Sequence, residues 1–285
     1  MKKQKILFCA INNLLSGSCD QDCSFCTQSS KYKTKIKRYN FKKINLVLKE
    51  AKAAKSAGAC GYCLVTSGKE LDQKRLEYIL EVAWEIKKEL PNLRLIACCG
   101  LATKEALKEL KKVGISSYNH NLETSQKYYK KICTTHTWEE RFKTCENVKE
   151  VGLKLCCGGI FGMGETLEDQ EELIKEVLSL DPDSIPINFY LPNPALPIKT
   201  RSIDKNRALE IIKNFKKRVK KETILMVAAG REVLFGENQK EIFEAGANSI
   251  VIGNYLTTKG FDPDYDKKII KNLGYEVAVG CDGRA

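Results

Sequence analysis

The chain has 285 residues, 43% of them apolar, and a formal charge of +12, enough to bury a large core and close to the ~250-residue size of an α/β barrel. No apolar run approaches the ~20 residues that cross a bilayer, and no zinc-finger or RNA-recognition signature accompanies the basic run Lys31–Lys43. Lysine-rich solvated helices give such a charge by themselves, so neither a membrane nor nucleic acid is the expected partner.

No Pro/Gly/Ser linker, low-complexity tract or composition shift divides the chain. A single domain over 1–285 is expected, with a core at about 5–260 and a C-terminal tail at 261–285. Near the N-terminus, lysines followed by ILFCAI faintly suggest an export signal. Asn12 and Asn13 interrupt it and no small-residue cleavage site follows, so a first buried strand, Ile6–Ile11, is expected. Thirteen cysteines, an odd number with adjacent pairs at Cys98–Cys99 and Cys156–Cys157, do not form a disulfide pattern. They suit metal ligands in a reducing compartment, which makes the expected location cytoplasmic.

Directly after the first strand comes SCDQDCSFCTQS (Ser18–Ser29), in which Cys19, Cys23 and Cys26 are spaced C-x3-C-x2-C. Four thiolates would close the coordination sphere of a zinc ion or a four-iron cluster; three leave one iron open to a bound molecule. This spacing resembles that of the radical-SAM enzymes, in which S-adenosylmethionine (SAM) fills the open position, and Phe25 offers an aromatic face for its adenine. Three unrelated thiols, or a zinc knuckle completed by His120 or His136 brought in by folding, are the other readings.

Further along, short β-like runs alternate with helical ones. The predicted strands continue at Gly61–Ser67, Leu93–Cys99, Ser117–Glu123, Leu153–Phe161, Ser184–Leu191, Ile224–Ala229 and Ser249–Tyr255. The helical stretches are Ile44–Ala57, Leu71–Leu90, Leu101–Val113, Thr137–Val151, Leu167–Leu180, Ile203–Lys220, Gln239–Glu244 and Asp266–Leu273. Gly58, Gly114, Gly152 and Gly246 end helices just before strands. Eight strands, each followed by a helical stretch, predict a parallel (β/α)8 TIM-type barrel, with a doubly wound open sheet as the alternative.

Chemistry-bearing residues fall on these strands: Cys63 on the second, Cys98 and Cys99 at the end of the third, Asn119, Asn121 and Glu123 on the fourth, Cys156 and Cys157 on the fifth, Asn188 on the sixth. Residues two apart on a strand share a face, so the fourth strand could aim its three polar side chains inward, and only one of each adjacent cysteine pair can do so. CCGGIFGMGE (Cys156–Glu165), which includes Ile160, could bring backbone close to an adenine or ribose. Glu123 could accept from two ribose hydroxyls, and Arg141 could hold a carboxylate through its planar fork.

Six segments in order resemble the biotin synthase family: CDQDCSFCTQSSKYKT, YNHNLETS (Tyr118–Ser125), LCCGGIFGMGET, SIPINF (Ser184–Phe189), AAGRE (Ala228–Glu232) and AGANSIVIGNYLTT (Ala245–Thr258). The resemblance covers about Ile6 to Lys259. It implies a homodimeric barrel that inserts sulfur into dethiobiotin, served by a flavodoxin- or ferredoxin-like electron donor. A [4Fe-4S] cluster on Cys19, Cys23 and Cys26 would reduce SAM, giving methionine and a 5′-deoxyadenosyl radical that abstracts hydrogen from the substrate. A sulfide of an auxiliary cluster would then be captured by the carbon radical, and a second SAM would repeat the cycle.

By the same resemblance, Phe25, Asn121, Glu123, Arg141 and Ile160 would contact SAM, and Asn119, Asn121 and Asn188 the ureido ring of dethiobiotin. Cys63, Cys98 or its neighbour Cys99, and Cys156 would ligate the auxiliary cluster, which is [2Fe-2S] in the family. The family's fourth ligand is an arginine just before the AGRE-like segment. Here TILMVAAGRE places Met226 or, with a bulge, Ile224 there. Met226, Cys60, Cys99, Cys133 and Cys157 are then candidates for that position. Hydrogenase-maturation or methylornithine-synthase-like barrels, and a non-catalytic metal- or RNA-binding protein, are the competing readings.

Overall fold

The computed structural model describes residues 4–237 and 239–280; Cys281 lies outside them. Ten strands and ten helices follow one another: β1 (Lys5–Leu15), α1 (Ile44–Ser56), β2 (Gly61–Thr66), α2 (Gln73–Glu89), β3 (Arg94–Cys98), α3 (Lys104–Lys112), β4 (Ile115–Asn119), α4 (Gln126–Tyr129), α5 (Trp138–Glu150), β5 (Lys154–Cys156), β6 (Gly159–Phe161), α6 (Leu167–Ser179), β7 (Ser184–Phe189), α7 (Lys205–Arg218), β8 (Ile224–Val227), α8 (Arg231–Phe235), α9 (Lys240–Glu244), β9 (Ser249–Val251), α10 (Pro263–Asn272) and β10 (Glu276–Val277).

All strand pairings are parallel, and the sheet closes where β9 pairs with β1 through Leu7↔Ser249, Phe8↔Ile250 and Cys9↔Val251. The result is the (β/α)8 barrel expected, with β5 and β6 together forming its fifth stave. Helix starts follow side-chain chemistry. Thr137 and Thr166 build capping boxes with Glu140 and Asp169, and Asp72, Thr103 and Asp204 accept from the first turns of α2, α3 and α7. Gly58, Gly114, Gly152 and Gly246 end their helices at positive φ, as the sequence suggested.

Alternation along each strand divides the molecule into two layers. Phe8, Tyr62, Leu64, Leu95, Leu155 and Val227 face outward and are buried against the inner stripes of the helices, among them Val47, Ile79, Leu107 and Ile211. Each such side chain contributes about 1.5–3 kcal/mol of hydrophobic stabilisation. The inward face is different. An ordinary barrel interior is filled by branched aliphatics; here apolar residues such as Leu7, Ile11, Val65 and Ile96 share it with cysteines, asparagines, serines and an arginine around a cavity of about 170 Å³.

Three local expectations change. The fifth strand is not continuous from Leu153 to Phe161, because the chain breaks ladder pairing at Cys157 and Gly158. There the backbone runs so close to β7 that a Cβ on Gly158 would lie 2.0 Å from the carbonyl oxygen of Pro186. The fourth strand stops at Asn119, leaving Asn121 and Glu123 in the following loop. Of the stretch expected as a tail, the described part packs on the barrel: β10 extends the β1 edge through Lys5↔Glu276 and Ile6↔Val277, and Asp266 of α10 pairs with the buried Arg231 at 2.8 Å. No helix among the described residues is long and apolar enough to cross a membrane.

Candidate active site

The loop after β1 carries Cys19, Cys23 and Cys26 and folds back on itself. Ser30 N–H donates to the Cys19 carbonyl at 2.7 Å, and Cys26 N–H donates to that of Cys23 at 3.0 Å. Arg38 clamps the loop from outside by donating to the carbonyls of Gly17, Ser29 and Tyr32. Asp22 anchors the other side, accepting from the backbone N–H and hydroxyl groups of Thr134 and Thr135. Partial burial opposes ionisation of Asp22, but these donors outweigh it and hold the carboxyl below the usual carboxylate range. All three thiols line one pocket with Phe25, Asn119, Asn121, Glu123, His136 and Arg141.

Two further residues reach the trio. Cys133 Sγ lies 3.5 Å from Cys23 Sγ and 3.2 Å from His136 Nδ1, and the three ligand atoms fall within 4.8 Å of one another. Folding therefore does bring His136 to the cysteine loop, across more than a hundred residues of sequence. Its Nδ1 is also 3.1 Å from Gln21 Oε1, and its Nε2 is 3.3 Å from Arg141 Nη1. Cys133, a candidate for the auxiliary cluster from sequence, belongs to this site and not to the barrel interior.

Glu123 has φ 68°, in the left-handed region that a non-glycine residue rarely enters. Its backbone bridges Gly159, and its carbonyl accepts from Ile160 N–H at 2.8 Å. Arg141 Nη2 bonds Glu123 Oε1 at 2.8 Å, and Arg141 Nε bonds the Asn121 carbonyl at 2.6 Å. Glu123 Oε2 is buried with no partner among the described atoms. Burial raises the Glu123 pKa, opposed by Arg141 and Asn121. An acceptor of this kind suits a ligand bearing hydroxyls. Ile160 lines neither this pocket nor the barrel cavity; it meets the site through its backbone bond to Glu123 and its ladder pairing with Asn188.

The barrel cavity adjoins this pocket. Val65, Cys98, Asn119, Asn121 and Leu256 line both. Deeper in, Cys9, Cys63, Cys98 and Cys156 line the cavity from four different strands, with Arg94, Asn188 and Met226. Asn119 Nδ2 is 3.4 Å from Cys156 Sγ and its Oδ1 is 3.9 Å from Cys98 Sγ. In each adjacent pair one cysteine turns inward, Cys98 and Cys156, and the other outward: Cys99 packs toward the Leu64 carbonyl and Cys157 toward Cys145. Burial pushes the Cys9 and Cys156 thiols up to about 12, so ligation there must displace a proton. Asn188 lines the cavity, but its amide already donates to the Gly159 carbonyl at 3.1 Å and accepts from Ala229 N–H at 3.2 Å.

Residues 13–177 match the Radical SAM superfamily model, and residues 186–276 match that of the Biotin and Thiamin Synthesis associated domain. The chain is 55% identical to the biotin synthase of Sulfurovum sp. (strain NBC37-1), with 98% of each chain covered. It is 54% identical to that of Nautilia profundicola, covering 98% of this chain and 100% of the relative. The chain belongs to the biotin synthase family. Membership makes it a radical-SAM enzyme, for which the family implies a [4Fe-4S] cluster and SAM.

Among solved structures, methylornithine synthase superposes with a TM-score of 0.81 at 18% identity, covering 96% of this chain and 84% of that one. The FeFe-hydrogenase maturase from Carboxydothermus hydrogenoformans also superposes at 0.81 with 18% identity, covering 98% and 70%. These likenesses show the fold. Both family models contribute strands to the same closed sheet, since β6 pairs with β7 through Gly159↔Ile187, Ile160↔Asn188 and Phe161↔Phe189.

Against the family pattern, Ile224 and Met226 both face the barrel cavity where the arginine ligand would stand. Arg231 serves elsewhere, bonded to Asp266 and to the Val251 carbonyl. Sequence reasoning passed over Cys9 and Arg94 as members of the site, and named His136 only as a possible zinc ligand; Cys9 carried a signal, since it sits on the first strand at the parity of Leu7 and Ile11.

Proposed function

We propose that this chain converts dethiobiotin to biotin, with the trio loop and the thiol-lined cavity acting as two halves of one reaction chamber. The observation that carries this reading is the shared wall: Asn119, Asn121 and Cys98 face the three-cysteine pocket on one side and the barrel cavity on the other. Cys19, Cys23 and Cys26 would hold a [4Fe-4S] cluster beside SAM. When bound, such a cluster would supply the electron for reductive cleavage of SAM.

The protein positions and encloses. Glu123 offers Oε2 to the ribose hydroxyls while Arg141 fixes its other oxygen, and the remaining donor capacity of Arg141 faces the methionyl carboxylate. Phe25 lies against the adenine, and the backbone at Ile160 shapes that wall. Asn119, Asn121 and Asn188 hold the ureido ring between the two cluster sites. Cys63, Cys98 and Cys156 would hold an auxiliary iron–sulfur cluster, which would supply the sulfur. The chain acts as one barrel domain, as a cytoplasmic homodimer receiving electrons from a flavodoxin- or ferredoxin-like protein.

Anaerobic reconstitution with iron and sulfide, followed by reduction with SAM, tests the reading. 5′-Deoxyadenosine formation stimulated by dethiobiotin, with biotin as product, is expected. Deoxyadenosine formation that ignores dethiobiotin would point to another radical-SAM reaction.

A further inference from the structure

We propose that Cys9 is the fourth protein ligand of the auxiliary cluster, completing a shell with Cys63, Cys98 and Cys156. This rests on the reading above that those three thiols hold a cluster. Cys9 lies mid-way along β1, with its side chain on the cavity side beside Leu7 and Ile11. It packs in one buried group with Cys63 and Val65, against which Cys98 and Met226 also lie.

The register staggers the thiols along one face, with Cys98, level with Val65, two residues above Cys63. Cys9 is level with Gly61 on β2, two residues below Cys63, so no side chain from β2 at that level stands between it and the cavity. The Arg94 guanidinium, level with Gly61 on β3, lines the same cavity. A cation at that depth offsets part of the negative charge that four thiolates bring.

Three of the other candidates are placed elsewhere: Cys99 and Cys157 face the helices, and Cys133 sits at the trio loop. Cys60 lines the cavity too, but it is disulfide-bonded and its Sγ turns to the Phe8 carbonyl at 3.4 Å. Met226 remains in the cavity, but a neutral thioether is a weaker iron–sulfur ligand than a thiolate. Ligation at Cys9 forms one S–Fe bond and releases the thiol proton to solvent; no electron is transferred.

The test uses the full chain with Cys19, Cys23 and Cys26 all replaced by alanine, reconstituted anaerobically with ferrous iron and sulfide so that only the auxiliary site is loaded. Iron and sulfide per chain, visible absorption and Mössbauer spectra are recorded. In that background Cys9→Ala is expected to lose more than half of the bound iron. Cys9→Ser should keep the cluster with shifted absorption and isomer shift, as an oxygen ligand would give, and Met226→Leu should match the parent. A parent that binds iron while Cys9→Ala matches it in content and spectra would overturn the role of Cys9 alone. A parent that assembles no cluster would sink both this role and the reading on which it rests. Loss on Met226→Leu with Cys9→Ala unaffected would transfer the role to Met226. Should Cys9→Ala fail to fold by circular dichroism, Cys9→Ser decides, and spectra identical to the parent's overturn the proposal.

Discussion

Arg141 secures one oxygen of Glu123 and leaves the other open: Nη2 stands 2.8 Å from Oε1, while Oε2 is buried with no partner among the described residues. The pair joins the loop after β4 to α5 and is strained at the glutamate, which sits at φ 68°. Removing one partner of a buried ion pair leaves an uncompensated charge, which costs about 3–5 kcal/mol.

Arg141→Met should therefore destabilise the fold by about 3 kcal/mol and weaken SAM binding. Adding Glu123→Gln should restore much of the stability but none of the SAM affinity. Urea unfolding and anaerobic calorimetry separate the two effects. A double variant that binds SAM as the wild type does would remove both residues from the SAM site.

The two thiol groups should separate functionally. Cys23→Ala is expected to abolish SAM cleavage, whereas Cys63→Ala should retain some cleavage and form no biotin. Product analysis by chromatography after anaerobic turnover checks both. Wild-type cleavage in Cys23→Ala would refute the cluster assignment.

Asn188 ties β6 to the turn after β8 through both ends of its amide. Asn188→Ala should weaken dethiobiotin binding with SAM binding little changed. It should also lower stability by about 1–2 kcal/mol through the two lost backbone partners. Ligand titrations alongside melting curves measure this; equal loss of both ligands would argue against a substrate role.

Glu176 on α6 is pushed up to about 7, first by burial and then by neighbouring acids, against the hydrogen bond from Gln126 N–H. Its folded pKa exceeds its unfolded one, so its contribution is fully present below the ordinary glutamate range and is lost as pH rises through about 7. Glu176→Gln should leave stability almost unchanged at pH 5 and raise it at pH 8.5 by about 1 kcal/mol, allowing for solvent screening of a half-exposed group. Denaturant titrations at the two pH values decide, and a variant no more stable than wild type at the higher pH would contradict the assignment.

Local signals in the chain were sufficient for the barrel strands and helices, for three cysteines sharing one loop, and for only one cysteine of each adjacent pair turning inward, but not for which of Cys98 and Cys99 does so. Strand period, glycine helix ends and ligand spacing act over a few residues, and each is written in consecutive sequence. Only the closed sheet decided that β1 delivers Cys9 beside Cys63, that Cys133 and His136 stand at the trio loop, and that Arg94 charges the cavity. These are encounters across strands, set by register and barrel closure, and a linear chain carries no local mark of them. The break at Gly158 was hidden for the same reason: it answers to the Pro186 carbonyl on a neighbouring stave, which becomes an obstacle only after the two strands meet.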